Sequence, residues 1–192
     1  ASFTFGGIGG VTNYNLRGSA YAKQIKGSYS LSNRTYNNRL MLTYATGLLK
    51  SGWSIATSLS TRFGNQISYV EGTSYDALSY FIAAEKKLNN EHSLNITLLG
   101  APTVRDMQAN SVNEAYNLAG TNYYNPNWGW YNGERRSART RTIYEPVALI
   151  THYYTPSNNK YSLTSTLGAT VGRSNTTSLN WYDAADPRPD YY

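Results

Sequence analysis

The chain has 192 residues, a net charge of +6, only 15% charged residues and no cysteine. This excludes a disulfide framework and a thiolate metal site, and with no basic run in the chain a nucleic-acid partner is not expected. Mean hydropathy is −0.53, and no apolar run approaches the roughly 20 residues of a spanning helix; strands that hide half their polarity in a lumen escape that test. Tyr contributes 19 residues, and its flat apolar ring with a polar tip suits membrane interfaces and sugar-binding surfaces.

The first stretch, 1–19, contains Gly6-Gly7 and Gly9-Gly10 ahead of Val11-Thr12-Asn13-Tyr14-Asn15-Leu16-Arg17. Paired glycines allow sharp turns and close backbone approach. We read a loop feeding a strand. A phosphate cradle is not expected, because neither a helix nor a Lys-Ser/Thr pair follows. No signal peptide is visible, as in a mature form or an internal piece. From 24 to 34, Ile25, Gly27, Tyr29 and Leu31 alternate with Gln24, Lys26, Ser28 and Ser30, which predicts the first strand.

The clearest stretch is the predicted hairpin from Tyr36 to Phe63. On its second arm Trp53, Ile55, Thr57, Leu59, Thr61 and Phe63 share one parity, and Ser54, Ala56, Ser58, Ser60 and Arg62 the other. Side chains on a strand alternate faces. One face is therefore apolar with an aromatic at each end, and the other is small and polar. Ten steps at about 3.3 Å, tilted by about 40°, span roughly 25 Å, the height of the apolar band of an outer-membrane barrel between its aromatic girdles. The first arm repeats the pattern with Tyr36, Leu40, Leu42 and Tyr44 against Arg39, Met41, Thr43 and Ala45. Trp53, Ile55, Leu59 and Phe63 are expected to face lipid, and Ser54, Ser58 and Arg62 the lumen.

Further strands are expected at 75–86, with Phe81 off-parity, and at 93–100, 142–154 and 160–172. Pro146 argues for an edge, a bulge or a distorted start in the third of these. The connections alternate in length. Short turns are expected at 47–52, 88–92 and 155–159, and long connections at 64–74, 101–141 and from 173 onward. Outer-membrane barrels alternate short periplasmic turns with long extracellular loops in this way. The fold class is thus all-β, an antiparallel transmembrane barrel segment of about seven strands.

Within 101–141, Ser111-x-x-Glu114 matches a capping box, and Val112, Ala115, Tyr116 and Ala119 follow helical spacing up to Gly120. A short helix is expected over 111–119. Tyr123, Tyr124, Asn127, Trp128, Trp130 and Tyr131 come next, aromatics interleaved with Asn and Gly. Such rings can stack on sugar faces while amides bond hydroxyls; equally, they can pack the loop onto itself or against the lumen wall. Trp181 and Tyr182 form a second aromatic group near Asp183, Asp186 and Asp190, whose irregular spacing does not make a calcium loop. Arg39, Arg62, Arg139 and Arg141 are expected to line the lumen, with Arg139 and Arg141 pairing with acids there. His92 sits at a predicted turn and His152 beside Tyr153 and Tyr154, as at a membrane interface. No Ser/His/Asp constellation or metal-ligand spacing is readable, so neither an enzyme nor a cofactor or metal is expected.

Several motifs now carry a resemblance. Tyr124-Asn125-Pro126-Asn127-Trp128-Gly129-Trp130-Tyr131-Asn132-Gly133 resembles the SusC-like TonB-dependent outer-membrane transporters. So do Asn33-Arg34-Thr35-Tyr36, Thr46 to Trp53, Val70 to Ala77 and Gly100-Ala101-Pro102-Thr103, in family order across most of the chain. The resemblance implies a barrel of about 22 strands filled by a plug. It makes 1–22 the end of the plug and its link, and 23–192 the first part of the barrel. It also implies import of oligosaccharides, peptides or similar nutrients across the bacterial outer membrane. The implied partners are outer-membrane lipid, a SusD-like surface lipoprotein, and TonB acting through a region absent from this sequence. Two other readings are a complete small outer-membrane barrel, adhesin or enzyme, and a soluble β-sandwich carbohydrate-binding module. Pro187 and Pro189 argue against a regular terminal strand, as the small barrel would need.

Overall fold

Alternation along the chain becomes pairing in space. A computed structural model describes residues 9–10, 12–33, 35–64, 70–158 and 160–178. Its main sheet contains β1 (Gln24–Leu31), β2 (Asn38–Leu48), β3 (Trp53–Gly64), β4 (Tyr75–Lys87), β5 (His92–Gly100), β6 (Thr103–Asp106), β9 (Thr140–Tyr144), β10 (Val147–Tyr154), β11 (Leu163–Thr170) and β12 (Arg173–Thr176). All neighbours are antiparallel, in the order β1-β2-β3-β4-β5-β10-β11. Between β6 and β9 lie one helix, α1 (Asn113–Ala119), and a separate hairpin of β7 (Trp128–Tyr131) and β8 (Glu134–Ser137). The fold is all-β with one short helix. Among the described residues β1 pairs only with β2, and β11 only with β10, so the sheet is open.

The short strands are continuations of long ones. Tyr80 stands opposite Gly100 and Ala77 opposite Thr103, so β6 resumes the register of β5 after Ala101-Pro102. Likewise Leu99 faces Val147 and Thr103 faces Ile143, so β9 and β10 are one strand broken at Glu145-Pro146. Thr170 faces Val147 and Arg173 faces Tyr144, which joins β11 to β12 across Val171-Gly172. The three breaks lie side by side and form a crease. Proline cannot donate to a ladder, and a Cβ on Gly172 would stand 2.3 Å from the Tyr144 carbonyl oxygen. The sheet therefore has seven long strands. The excursion expected over 101–141 shrinks to 107–139, because Pro102 interrupts the pattern without ending the pairing and β9 begins two residues before the expected strand.

Burial is inverted relative to a soluble sheet. Leu42, Leu59 and Ile96 are 55%, 52% and 52% exposed, and Leu40, Ile82, Leu98 and Ile150 share their face. The opposite face buries Ala45, Ser54, Ala56, Ser60, Ala77, Ala83, Glu85, Ser93, Asn95, Thr97 and Thr151. Ala45, Ala56, Ala83 and Thr97 form one row across β2 to β5. These small side chains leave room for the incoming segment. Its turn at 18–20 packs there, and a Cβ on Gly18 would meet the Ser54 carbonyl oxygen at 2.5 Å.

Aromatic residues mark both ends of the apolar face. At the short-turn end, Lys86 Nζ lies 5.2 Å over the Trp53 ring. His92 Nδ1 and His152 Nε2 are 3.0 Å apart there, with Tyr154 stacked on His92 and Tyr161 edge-on to Tyr154. Toward the other end stand Tyr29, Phe63 and Tyr144. Phe81 has the polar parity, and its ring meets Tyr21 at 5.8 Å. Tyr36 departs from expectation. It precedes β2, and its ring turns to the polar side, 5.6 Å from the Tyr75 ring and 5.5 Å from the Arg62 guanidinium.

The turns have local causes. Gly47 and Gly52 adopt positive φ around the β2–β3 turn, where the Leu49 N–H donates to the Trp53 carbonyl at 2.8 Å. Asn89 Oδ1 accepts the Glu91 and His92 amides at 2.8 Å, an Asx turn between β4 and β5. The connection expected at 155–159 runs on to 162. Ser157, through its hydroxyl and its backbone N–H, bonds the Glu91 carboxylate and holds that acid below the usual carboxylate range. Those bonds tie two neighbouring short turns together.

Candidate functional site

The 107–139 excursion is built on one buried amide. Asn125 is fully buried, and its Oδ1 accepts the Ala109 and Asn127 N–H groups at 3.2 Å. Its Nδ2 donates to the Glu71 carbonyl at 3.1 Å, fastening the excursion to the β3–β4 connection. Asn127 Nδ2 donates to the Met107 carbonyl at 2.9 Å, and the Asn127 carbonyl accepts the Ala138 N–H at 2.6 Å. Asn127 is therefore engaged within the loop. Helix α1 starts later than its motif implied. Val112 is the N-cap with no side-chain cap bond, and the Ser111 N–H donates to the Tyr116 hydroxyl at 2.9 Å, so the capping box does not form. Gly120 closes the helix at φ 66°, as expected.

The aromatic run divides into scaffold and surface. Trp128 is half-buried and sits directly on Gly72, where a Cβ would come within 1.9 Å of its Cγ. Only glycine leaves that space, and Gly72 also has φ 68°. Gly129 is buried. Tyr124 is half-buried with its ring edge-on to Tyr116 at 6.4 Å. By contrast Trp130, Tyr131 and Tyr123 are 48%, 53% and 53% exposed. The β7–β8 hairpin presents Trp130 and Tyr131 and turns through Asn132 and Gly133, both at positive φ as a type I′ turn requires. The Asn-Gly pair signalled this hairpin, but the surrounding aromatics read as loop. Arg135 lies 4.9 Å from the Trp128 ring and 5.5 Å from Trp130, and Arg136 lies 5.0 Å from Tyr131. Trp181 and Tyr182 lie outside the described residues.

Arg39, Arg62 and Arg141 have the polar parity. Arg39 and Arg62 stand directly opposite one another, and Arg39 Nε donates to Ser60 Oγ at 3.4 Å. Arg139 precedes β9 and is exposed, with its carbonyl accepting the Met107 N–H. The expected pairing of Arg139 and Arg141 with acids is not found: the one ion pair among the described residues is Arg17 with Glu85. Composition hid that pair because Arg17 lies in a segment read as loop. Glu85, though, is an acid on the polar parity of β4, and that was a usable signal.

The Glu85 carboxylate also accepts the Ser19 N–H at 3.0 Å and the Ser19 hydroxyl at 2.6 Å. Arg17 further bonds Ser93 Oγ at 3.2 Å and stacks 4.0 Å from the Tyr153 ring centroid. The Gly18 N–H donates to Asn95 Oδ1 at 3.1 Å, and the Leu16 carbonyl accepts from Asn95 Nδ2 and Thr97 Oγ1. Residues 16–19 are thus bonded to β4 and β5 on the polar face.

No family model, curated protein or solved structure matches this chain.

Proposed function

We propose that this chain is the tail of the plug and the first part of the barrel of a SusC-like TonB-dependent transporter in the bacterial outer membrane. The observation that carries this reading is the inverted sheet. Large aliphatic side chains cover one face, aromatics bracket it, and alanine, serine, threonine and asparagine fill the other. In water that face would leave its large side chains uncovered, where monomers rarely expose contiguous apolar patches beyond a few hundred Å². In a bilayer it is the expected outer surface. Residues 12–22, of which 16–19 are bonded to the polar face, take the part of the plug's tail against the inner wall. The five motifs in family order supply the family. Import of oligosaccharides or peptides, a SusD-like lid and energy from TonB follow from the resemblance.

The test uses the full-length protein. It is expected to fractionate with the outer membrane, to stay folded in detergent and to shift in gel mobility on heating. Protease added to whole cells should cut an epitope inserted near Leu118 and spare one at Asn90. A protein that folds without detergent would overturn the membrane reading, and the reverse cleavage pattern would overturn the orientation.

Within the excursion, Tyr131→Ala is expected to weaken binding of a growth-supporting oligosaccharide about tenfold, the worth of one stacked ring, with normal folded yield. Trp128→Ala is expected to lower folded yield, because its ring fills the space above Gly72. If both variants lose yield and neither changes affinity at equal yield, the excursion is scaffold only.

A further inference from the structure

Four arginines gather on the polar face at the long-loop end. Arg39 faces Arg62 across β2 and β3, and Arg105 faces Arg141 across β6 and β9. Between the pairs, on β4, stand Ala77 opposite Arg62 and Tyr75 opposite Arg105. Tyr75 meets the Tyr36 ring, which in turn meets the Arg62 guanidinium. Like charges directly opposite on a sheet repel, and this face carries two such pairs within one strand of each other. The Nε atoms of Arg62, Arg105 and Arg141 are buried with no hydrogen-bond partner among the described residues. A buried donor without an acceptor is costly, more so on a cation. Among the described residues the acids form no ion pair with these four. Asp106 has the opposite parity, and its carboxylate is held by Ser74 Oγ and Thr140 Oγ1 at 2.6 Å each. Asp76, also on the opposite parity, is exposed. Beside Arg105 a cavity of about 280 Å³ is lined by Thr35, Thr73, Tyr75, Asp106, Met107 and Gln108, with the Asp106 carboxylate already taken up by the two hydroxyls.

We propose that Arg39, Arg62, Arg105 and Arg141 form a seat for an oxyanion, a carboxylate or a sulfate or phosphate ester, with the Tyr75 hydroxyl as a further donor. Guanidinium groups present a planar fork that matches oxyanion geometry, and several on one face of a sheet compete with water for it. The charge logic belongs to the sheet and holds whether or not its other face meets lipid. The oxyanion has two possible sources, a free ligand or a carboxylate from elsewhere in the same protein.

The experiment uses the full-length protein and its Arg62→Gln/Arg105→Gln and Arg62→Lys/Arg105→Lys variants. Loss of β-sheet circular dichroism on heating is followed in sodium sulfate and in sodium chloride at matched ionic strength. If sulfate raises the midpoint of wild type over chloride, and the Gln pair needs about tenfold more sulfate or more for the same rise, the seat takes a free oxyanion. If sulfate acts equally on all three, but the Gln pair melts below wild type and the Lys pair between them, the seat holds a carboxylate of the protein itself. If sulfate acts equally and the Gln pair melts at or above wild type, the arginines only repel one another and the proposal is overturned. Loss of the outer-membrane fractionation would sink the transporter reading while leaving the sulfate comparison intact.

Discussion

Leu59→Arg is expected to lower folding stability by about 2–4 kcal/mol, while Ser58→Arg costs about 1 kcal/mol. The two positions are adjacent on β3 and point to opposite faces. Leu59 lies near the middle of the apolar face, flanked by Leu42 and Tyr80 on the paired strands. In the bilayer proposed for this face, a guanidinium at that depth must be buried in hydrocarbon or drag water to it. Ser58 stands on the polar face, where its hydroxyl lies 3.0 Å from that of Thr43, and an arginine there loses one neutral hydrogen bond. Urea unfolding of the full-length protein in detergent or vesicles reads the difference. If Ser58→Arg proves the costlier change, the assignment of faces is wrong.

The second large effect is expected at the contact between residues 16–19 and the sheet. Arg17→Ala leaves the Glu85 carboxylate, 5% exposed, with only the Ser19 hydroxyl and N–H. Breaking a buried ion pair from one side costs about 3–5 kcal/mol; because the Arg17 side chain keeps 35% of its surface, we expect about 2–3 kcal/mol. Adding Glu85→Gln to Arg17→Ala should recover part of that loss, since no charge is then left buried. Gly18→Ala acts differently, by driving a Cβ into the Ser54 carbonyl, at about 1–3 kcal/mol. The loss should be local. Amide exchange of residues 16–21 is expected to accelerate while the amides of β3 and β4 keep their protection. Unchanged exchange at 16–21 in Arg17→Ala would mean that the ion pair does not hold the segment.

The central strands were legible in the sequence because alternation of large apolar with small polar residues survives whichever face is wet. β2, β3, β4 and β5 lie within one or two residues of their expected limits. The pattern failed where proline or side-chain chemistry overrode it. Pro102 hid β6, and Arg105 was lost to the supposed loop with it, while Pro146 divides the strand expected at 142–154 into β9 and β10. The Ser111 motif failed because the Tyr116 hydroxyl takes the Ser111 N–H and the helix begins two residues later. For the candidate site, spacing could not show which aromatics are spent on packing. Trp128 is claimed by Gly72, 56 positions earlier, while Trp130 and Tyr131 remain open. Nor could it show that His92 and His152 meet, since a register shared by β5 and β10 brings them together.

The crease carries an arithmetical constraint. Each break removes two residues from pairing: Ala101-Pro102, Glu145-Pro146 and Val171-Gly172. Two is a full pleat, so every strand leaves the crease facing as it came in. Arg105 and Arg141 beyond it therefore share a side with Thr97 and Thr151 before it. A single deletion at Pro102 would carry Arg105 to the apolar side and bring Val104 or Asp106 inward. Length variation at this line can thus be absorbed in steps of two and not of one. The same phase rule sets no limit on the 107–139 excursion, whose two ends are held together by the pairing of β6 with β9.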